Sequence, residues 1–173
     1  MPKTKKWNMK LNDLKAGENV FIDANIFIYN FGAQSAECRE LLLRCAKKEL
    51  TGYTSTLIIS EVLHRLMVAE ALQKGFINEK NPVKQLKEKQ EIIKKLSTYN
   101  HDMEKILEMN IKIIELTKEL IRKSVKTREK EGLLTNDSIL LATMKELGLL
   151  NLATNDDDFD RIKSIHIYKP SDM

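Results

Sequence analysis

Asp23 and Asp156 each stand at the end of a short apolar run, Val20-Phe21-Ile22 in one case and Leu149 to Thr154 in the other. Runs of this kind suit buried strands, and open parallel sheets bind ligands in the crevice beyond the carboxyl ends of their strands, so two carboxylates would share one rim. Asp137 falls in the first turn of a predicted late helix and Glu61 in the second turn of an earlier one. Both can lean toward the rim from which crossover helices depart. Four acids in one cleft would repel one another, and would protonate or splay apart unless a cation neutralised them. With oxygen donors only and no soft ligand nearby, the cation that fits is Mg²⁺ or Mn²⁺ rather than zinc or copper.

Each acid also has an ordinary explanation. Asp23 reads equally as a turn aspartate, and Asp137 as a side chain that complements the dipole at a helix N-terminus. Glu61 lies on the helix face away from Ile59, Leu63 and Leu66, a position that faces either solvent or a cleft. Asp156, Asp158 and Asp160 have the alternation of a calcium loop. That reading fails, because Arg161 occupies the slot that needs glycine and Ile167 the slot that needs a bidentate glutamate.

The elements that must position these acids follow from periodicity and punctuation. Val20-Phe21-Ile22 predicts a strand buried on both faces and ending at Asp23, with Asn25 in the turn that follows. Ser35 is placed to cap a helix reaching Leu50, with Cys38, Leu41, Leu42, Cys45 and Ala46 on its inner face. Gly52-Tyr53-Thr54 forms a brief second strand. Thr56 then caps a helix striped with Ile58, Ile59, Val62, Leu63, Leu66 and Met67 and closed by Gly75. Asn81-Pro82 opens a third helix to Ser97, and a further one is expected from Asp102 to Lys130 with Ile111, Ile113 and Ile114 near its middle and Gly132 as terminator. Thr135 caps the last long helix, which ends at Gly148, and Leu149 to Thr154 and Ile165 to Tyr168 form the final strands.

Strands separated by helices imply parallel pairing, because a parallel connection needs a long crossover. The expected fold is therefore an α/β/α three-layer sandwich around a mostly parallel sheet of four to five strands. Its 173 residues, 42% of them hydrophobic, suit one domain over residues 1–173. Residues 1–19 form a basic N-terminal extension and residues 75–130 a helical elaboration.

The formal charge of +4, from 29 basic and 25 acidic side chains, does not by itself announce a nucleic-acid binder. Distribution says more: Lys3, Lys5, Lys6, Lys10 and Lys15 crowd the start, and Lys118, Arg122, Lys123, Lys126, Arg128 and Lys130 stud a later helical stretch. Each run suits a polyanion or a solvated surface. Cys38 and Cys45 lie about two helical turns, roughly 10 Å, apart. That is too far for a disulfide, and they read as small buried apolar groups in a reducing compartment. No Cys/His spacing resembles a zinc site. With no apolar run before Val20, neither a signal peptide nor a membrane span is expected, and the protein is expected in the cytoplasm.

Four blocks carry more information together than any acid does alone: Phe21-Ile22-Asp23-Ala24-Asn25 after the first strand, Thr56-Leu57-Ile58-Ile59-Ser60-Glu61-Val62-Leu63 in the second crossover, Leu134-Thr135-Asn136-Asp137-Ser138 opening a helix, and Ala153-Thr154-Asn155-Asp156-Asp157-Asp158-Phe159 after a late strand. In this order and spacing the chain resembles the PIN-domain nucleases, in particular the small archaeal and bacterial members that include VapC-type toxins. The resemblance spans residues 20 to 168, while the first nineteen residues, Trp7 among them, match nothing in it. It implies that Asp23, Glu61, Asp137 and Asp156 are the catalytic, metal-binding carboxylates. It further implies that Asn25, Asn136, Thr154 and Asp158 orient those ligands or the attacking water. Asn155 stands where many relatives carry a basic residue, and the triple aspartate leaves open whether Asp156 or Asp158 is the fourth ligand.

The activity so implied is a Mg²⁺- or Mn²⁺-dependent endoribonuclease that hydrolyses RNA phosphodiester bonds, with Arg122, Lys126 and Arg128 as candidates to carry the flanking phosphates. As a toxin, such a protein would be held silent by a small antitoxin whose peptide fills the acidic groove. As a housekeeping nuclease it would process RNA without a guardian, and as a non-catalytic module it would keep the fold for binding alone, which the retention of all four acids opposes. A homodimer through the helical middle section is also expected.

Overall fold

The computed structural model describes residues 9–173, so Lys3, Lys5, Lys6 and Trp7 lie outside the described residues. Along the chain come β1 (Met9–Lys10), β2 (Asn19–Ile22), α1 (Ala24–Phe31), α2 (Ala36–Ala46), β3 (Thr51–Ser55) and α3 (Thr56–Gln73). There follow α4 (Pro82–Glu88), α5 (Gln90–Ile93), α6 (Thr98–Glu108), β4 (Lys112–Ile114), α7 (Lys118–Glu131), α8 (Thr135–Glu146), β5 (Asn151–Ala153) and β6 (His166–Lys169). The strands form one sheet in the order β1-β6-β5-β2-β3-β4, and every pairing is parallel. Val20, Phe21 and Ile22 of β2 are all fully buried, as a strand covered by helices on both faces must be.

The sheet has six strands rather than four to five, and both additions are edges. Met9-Lys10 pairs with Tyr168-Lys169, and Leu11 and Leu14 behind it are buried, so this end of the basic extension belongs to the sheet and core. The helix expected from Asp102 to Lys130 is instead α6, β4 and α7. Asn110, at φ +56°, turns the chain after α6. Ile113 and Ile114 then pair with Thr54 and Ser55, and Thr117 caps α7 through Leu120 N. The third helix also breaks, at Lys89 between α4 and α5, and Asn81 makes no side-chain cap.

Ser35 caps α2 as expected, through Cys38 N, and Gly132 ends α7 in the left-handed region. Two other caps differ. Ser55, not Thr56, accepts from Ile58 N at the start of α3, while the Thr56 hydroxyl accepts from Leu116 N. Leu134 holds the cap position of α8 and makes no side-chain cap bond, with Thr135 already helical. Cys38 and Cys45 are buried free thiols, pushed by burial up to about 11 and about 12 respectively, which leaves them protonated at neutral pH. No helix among the described residues is long and apolar enough to cross a membrane.

Glu70, buried near the end of α3, caps α6 from outside it. Its carboxylate accepts from Ser97 N and Tyr99 N, each at 3.0 Å, where Ser97 itself supplies no cap, and from Lys74 Nζ at 2.6 Å. Burial alone would raise its pKa, but the Lys74 ammonium and the amides outweigh that and hold it at about 2. Glu70→Ala strands these donors and is expected to lower stability by about 2–4 kcal/mol in urea unfolding. A loss near zero would mean that α6 is capped some other way.

Candidate active site

From β2 the chain proceeds through β3 to β4 on one side of the sheet, whereas β5 leads to β6 on the other. Neighbouring strands whose connections diverge leave a crevice at their carboxyl ends, and here those strands are β2 and β5. Their register sets the residues that meet there. Ile22 lies opposite Ala153, so Asp23 and Thr154 come next to each other. Asp23 N donates to the Ala153 carbonyl at 3.0 Å, and Thr154 Oγ1 donates to Asp23 Oδ2 at 2.6 Å.

Asp23 is not a loop residue but the N-cap of α1, its Oδ1 accepting from Ala24 N at 2.7 Å. Asn25, expected in a turn, sits in the first turn of that helix. Its Nδ2 reaches Thr154 Oγ1 at 3.2 Å and Asp23 Oδ2 at 3.3 Å, while its Oδ1 accepts from Asn155 N at 3.1 Å. Thr154 Oγ1 also accepts from Asp156 N at 3.0 Å. The start of α1 and the loop after β5 are thereby tied into one network.

Asp156 caps a short 3-10 turn over Asp157–Phe159, its Oδ1 accepting from Asp158 N at 2.8 Å, and the fully buried Phe159 ring anchors that turn. Asp137 enters from the first turn of α8. One carboxylate oxygen from each of Asp137, Asp156 and Asp158 lies within 4.8 Å of the other two. Asp157 and Asp160 turn instead to Lys169 Nζ, at 2.6 and 2.9 Å. Asp156 and Asp158 therefore both face Asp137, where the sequence left a choice between them.

Glu61 lies in the second turn of α3, 37% exposed, with Arg65 Nη1 at 3.9 Å. It stands outside the close triad but near enough for its charge to act on Asp23 and Asp137. Burial pushes Asp23 up to about 6 against the lowering effect of the Thr154 and Ala24 hydrogen bonds, with Glu61 and Asp156 adding to the rise. Burial likewise pushes Asp137 up to about 6, followed by the charges of Asp156, Asp23, Asp158 and Glu61. Carboxylates held this close and offering only oxygen donors fit a hard divalent cation.

Among the remaining candidates, Asn136 is exposed at the start of α8 and Lys126 is exposed on α7. Arg122, also exposed, lies 3.7 Å from Glu119. Arg128 turns inward, its Nη1 donating to Ser124 Oγ at 2.9 Å and Ser138 Oγ at 3.0 Å. One participant was missed in the sequence: the Tyr29 hydroxyl accepts from Asn155 Nδ2 at 3.3 Å. Tyr29 and Asn25 are four apart, so reading residues 24–31 as a helix would have put them on one face.

Residues 20–165 match the family model of the PIN domain. Ribonuclease VapC2 of Methanocaldococcus jannaschii is 29% identical over 157 residues, covering 89% of this chain and 96% of the relative. Ribonuclease VapC6 of the same organism is 28% identical over 153 residues, covering 87% and 97%. Among solved structures, VapBC2 from Rickettsia felis bound to a DNA fragment from their promoter has a TM-score of 0.55 at 16% identity, covering 88% of this chain and 98% of that one, a likeness of fold. The span matched takes in all four acid-bearing blocks, and the chain belongs to the PIN domain family.

Proposed function

We propose that this protein is a divalent-metal-dependent endoribonuclease and the toxin of a toxin–antitoxin pair. The observation that carries the reading is the close approach of Asp137, Asp156 and Asp158, with Asp23 at the β2–β5 crevice near enough for its charge to act on Asp137, in a chain alignable with nearly the whole of two relatives named ribonucleases. Asp23, Glu61, Asp137 and Asp156, with Asp158 beside them, would hold Mg²⁺ or Mn²⁺. Bound there, such an ion supplies an activated water for in-line attack on a phosphodiester and charge to stabilise the departing oxygen.

The chain's own residues prepare that chemistry. Thr154 and Asn25 fix both the rotamer and the hydrogen bonding of Asp23, so its carboxylate needs no reorganisation before use. Lys126 and Arg122, exposed on α7, are the candidates to meet flanking phosphates; Arg128, engaged by Ser124 and Ser138, serves the fold of the α7–α8 pair instead. The toxin reading draws on the VapC names of the relatives, and a small antitoxin peptide is the partner it implies.

The test is incubation of the purified protein with mixed RNA and, separately, single-stranded DNA, with Mn²⁺ or with chelator, alongside Asp137→Asn. Cleavage of RNA by the wild type, only with Mn²⁺, and its loss in Asp137→Asn are expected. Equal cleavage by both proteins rejects the site. Degradation of DNA with RNA left intact keeps the nuclease and rejects the substrate.

A further inference from the structure

Arg161 joins the two segments that carry the close carboxylates. Its Nη2 donates to the Gly132 carbonyl at 2.8 Å, and its Nε makes a longer contact, 3.4 Å, with the Asp158 carbonyl. Gly132 is the left-handed residue, φ +64°, that ends α7, and the chain reaches Asp137 five residues later. Asp158 is itself one of the three acids whose oxygens converge. The guanidinium lies against the turn, its Nη1 3.7 Å from where a Cβ on Gly132 would stand. Arg128 steadies the same turn from within α7: it donates to Ser138 Oγ, whose hydroxyl in turn donates to the Thr135 carbonyl at 2.7 Å.

Repulsion between Asp137 and the Asp156/Asp158 pair drives the start of α8 away from the loop after β5. A guanidinium is a planar fork with donors at fixed separation, suited to holding two carbonyls at a set distance in a way an ammonium is not. We infer that Arg161 is a positioning residue that sets the spacing between Asp137 and the Asp156/Asp158 pair, and through that spacing the affinity of the site for a divalent cation. The inference rests on the metal-site reading given under Proposed function.

The sign of one measurement separates position from charge. A cation beside an acidic site weakens divalent binding by repulsion, so removing Arg161 would tighten binding if its charge were all that mattered. If the fork sets the spacing, removing it loosens binding, by an amount expected to approach the about 10–100-fold that losing a hydrogen bond to a ligating side chain costs. Calorimetric titration of the full chain with Mn²⁺ is therefore expected to give at least tenfold weaker binding for Arg161→Ala, with Arg161→Lys in between. The melting temperatures of the chelated proteins are expected to stay within a few degrees of wild type. Binding by Arg161→Ala as tight as wild type, or tighter, overturns the inference. Should that variant fail to fold, wild-type affinity in Arg161→Lys overturns it instead. A wild-type protein that takes up no Mn²⁺ would sink the metal site itself, a result distinct from either.

Discussion

Asp23→Asn is expected to reduce RNA cleavage on the order of a hundredfold or more, the scale seen when one preorganised charge-stabilising group is removed from an active site, while leaving the chelated protein at least as stable as wild type. The second half follows from two opposed effects. Asparagine caps helices as well as aspartate does, so the Ala24 contact that starts α1 survives. The new amide group, however, meets Thr154 Oγ1, which already accepts from Asn25 and Asp156 N, and about 1 kcal/mol of hydrogen bonding is lost. Against this, the wild-type carboxyl is only 9% exposed and its pKa stands at about 6 rather than 3.8. Its ionisation at pH 7.5 therefore costs the folded state about 3 kcal/mol, which the substitution removes. Activity and melting temperature should move in opposite directions. If both fall together, Asp23 serves mainly as a helix cap, and if cleavage persists, the site is misassigned.

Which parts of this site were legible in the sequence depended on whether local pattern or distant contact decides them. Val20-Phe21-Ile22 announces a strand because burial on both faces leaves no room for polar alternation, and the late strand shows the same signature only at Leu152-Ala153, since Leu150 before them is exposed. Edge strands lack that signature: Met9-Lys10 is too short to show a period. Ile113-Ile114 lies between two stretches with helical spacing, and the stop at Asn110 is made by asparagine rather than glycine. α1 was hidden for a different reason. An aspartate ending a strand looks the same whether a turn or a helix follows, and Ala24–Phe31 is rich in aromatic and β-branched residues that are indifferent helix formers. Burial of Ala24, Ile26 and Phe27 overrides that preference.

The four acid-bearing blocks were readable through their resemblance, in order and spacing, to the PIN-domain pattern, but not which of the aspartates after β5 turn toward Asp137. Lys169 decides it from the far end of β6 by drawing Asp157 and Asp160 away, and no local rule places that ammonium. The Arg161 bridge to Gly132 is likewise a product of the fold, since nothing in either segment points to the other.

In chelator the protein is expected to melt several degrees higher at pH 5 than at pH 7.5, and Mn²⁺ is expected to raise the melting temperature far more at pH 7.5 than at pH 5. Asp23 and Asp137 both have folded pKa values of about 6, raised from 3.8. Between those values the folded state binds more protons than the unfolded one, so stability falls as pH rises and the loss is complete above the folded pKa. From pH 5 to 7.5 the two together should cost roughly 1–2 kcal/mol, less than a simple sum because they repel one another and titrate as a coupled set, and because water screens the half-buried Asp137. Glu70 runs the other way, with a pKa lowered from 4.5 to about 2. Its contribution is complete above the unfolded value and fades only as pH falls through the folded one, so it is nearly constant over this window. Mn²⁺ must compete with protons for the same oxygens, which ties its stabilising effect to the ionised site. At a concentration about a hundred times its dissociation constant it adds about 2.7 kcal/mol. Asp137→Asn, which removes one of the raised groups and one ligand, should shrink both the pH dependence and the Mn²⁺ shift. A Mn²⁺ shift of equal size at the two pH values would place the bound ion somewhere other than among these carboxylates.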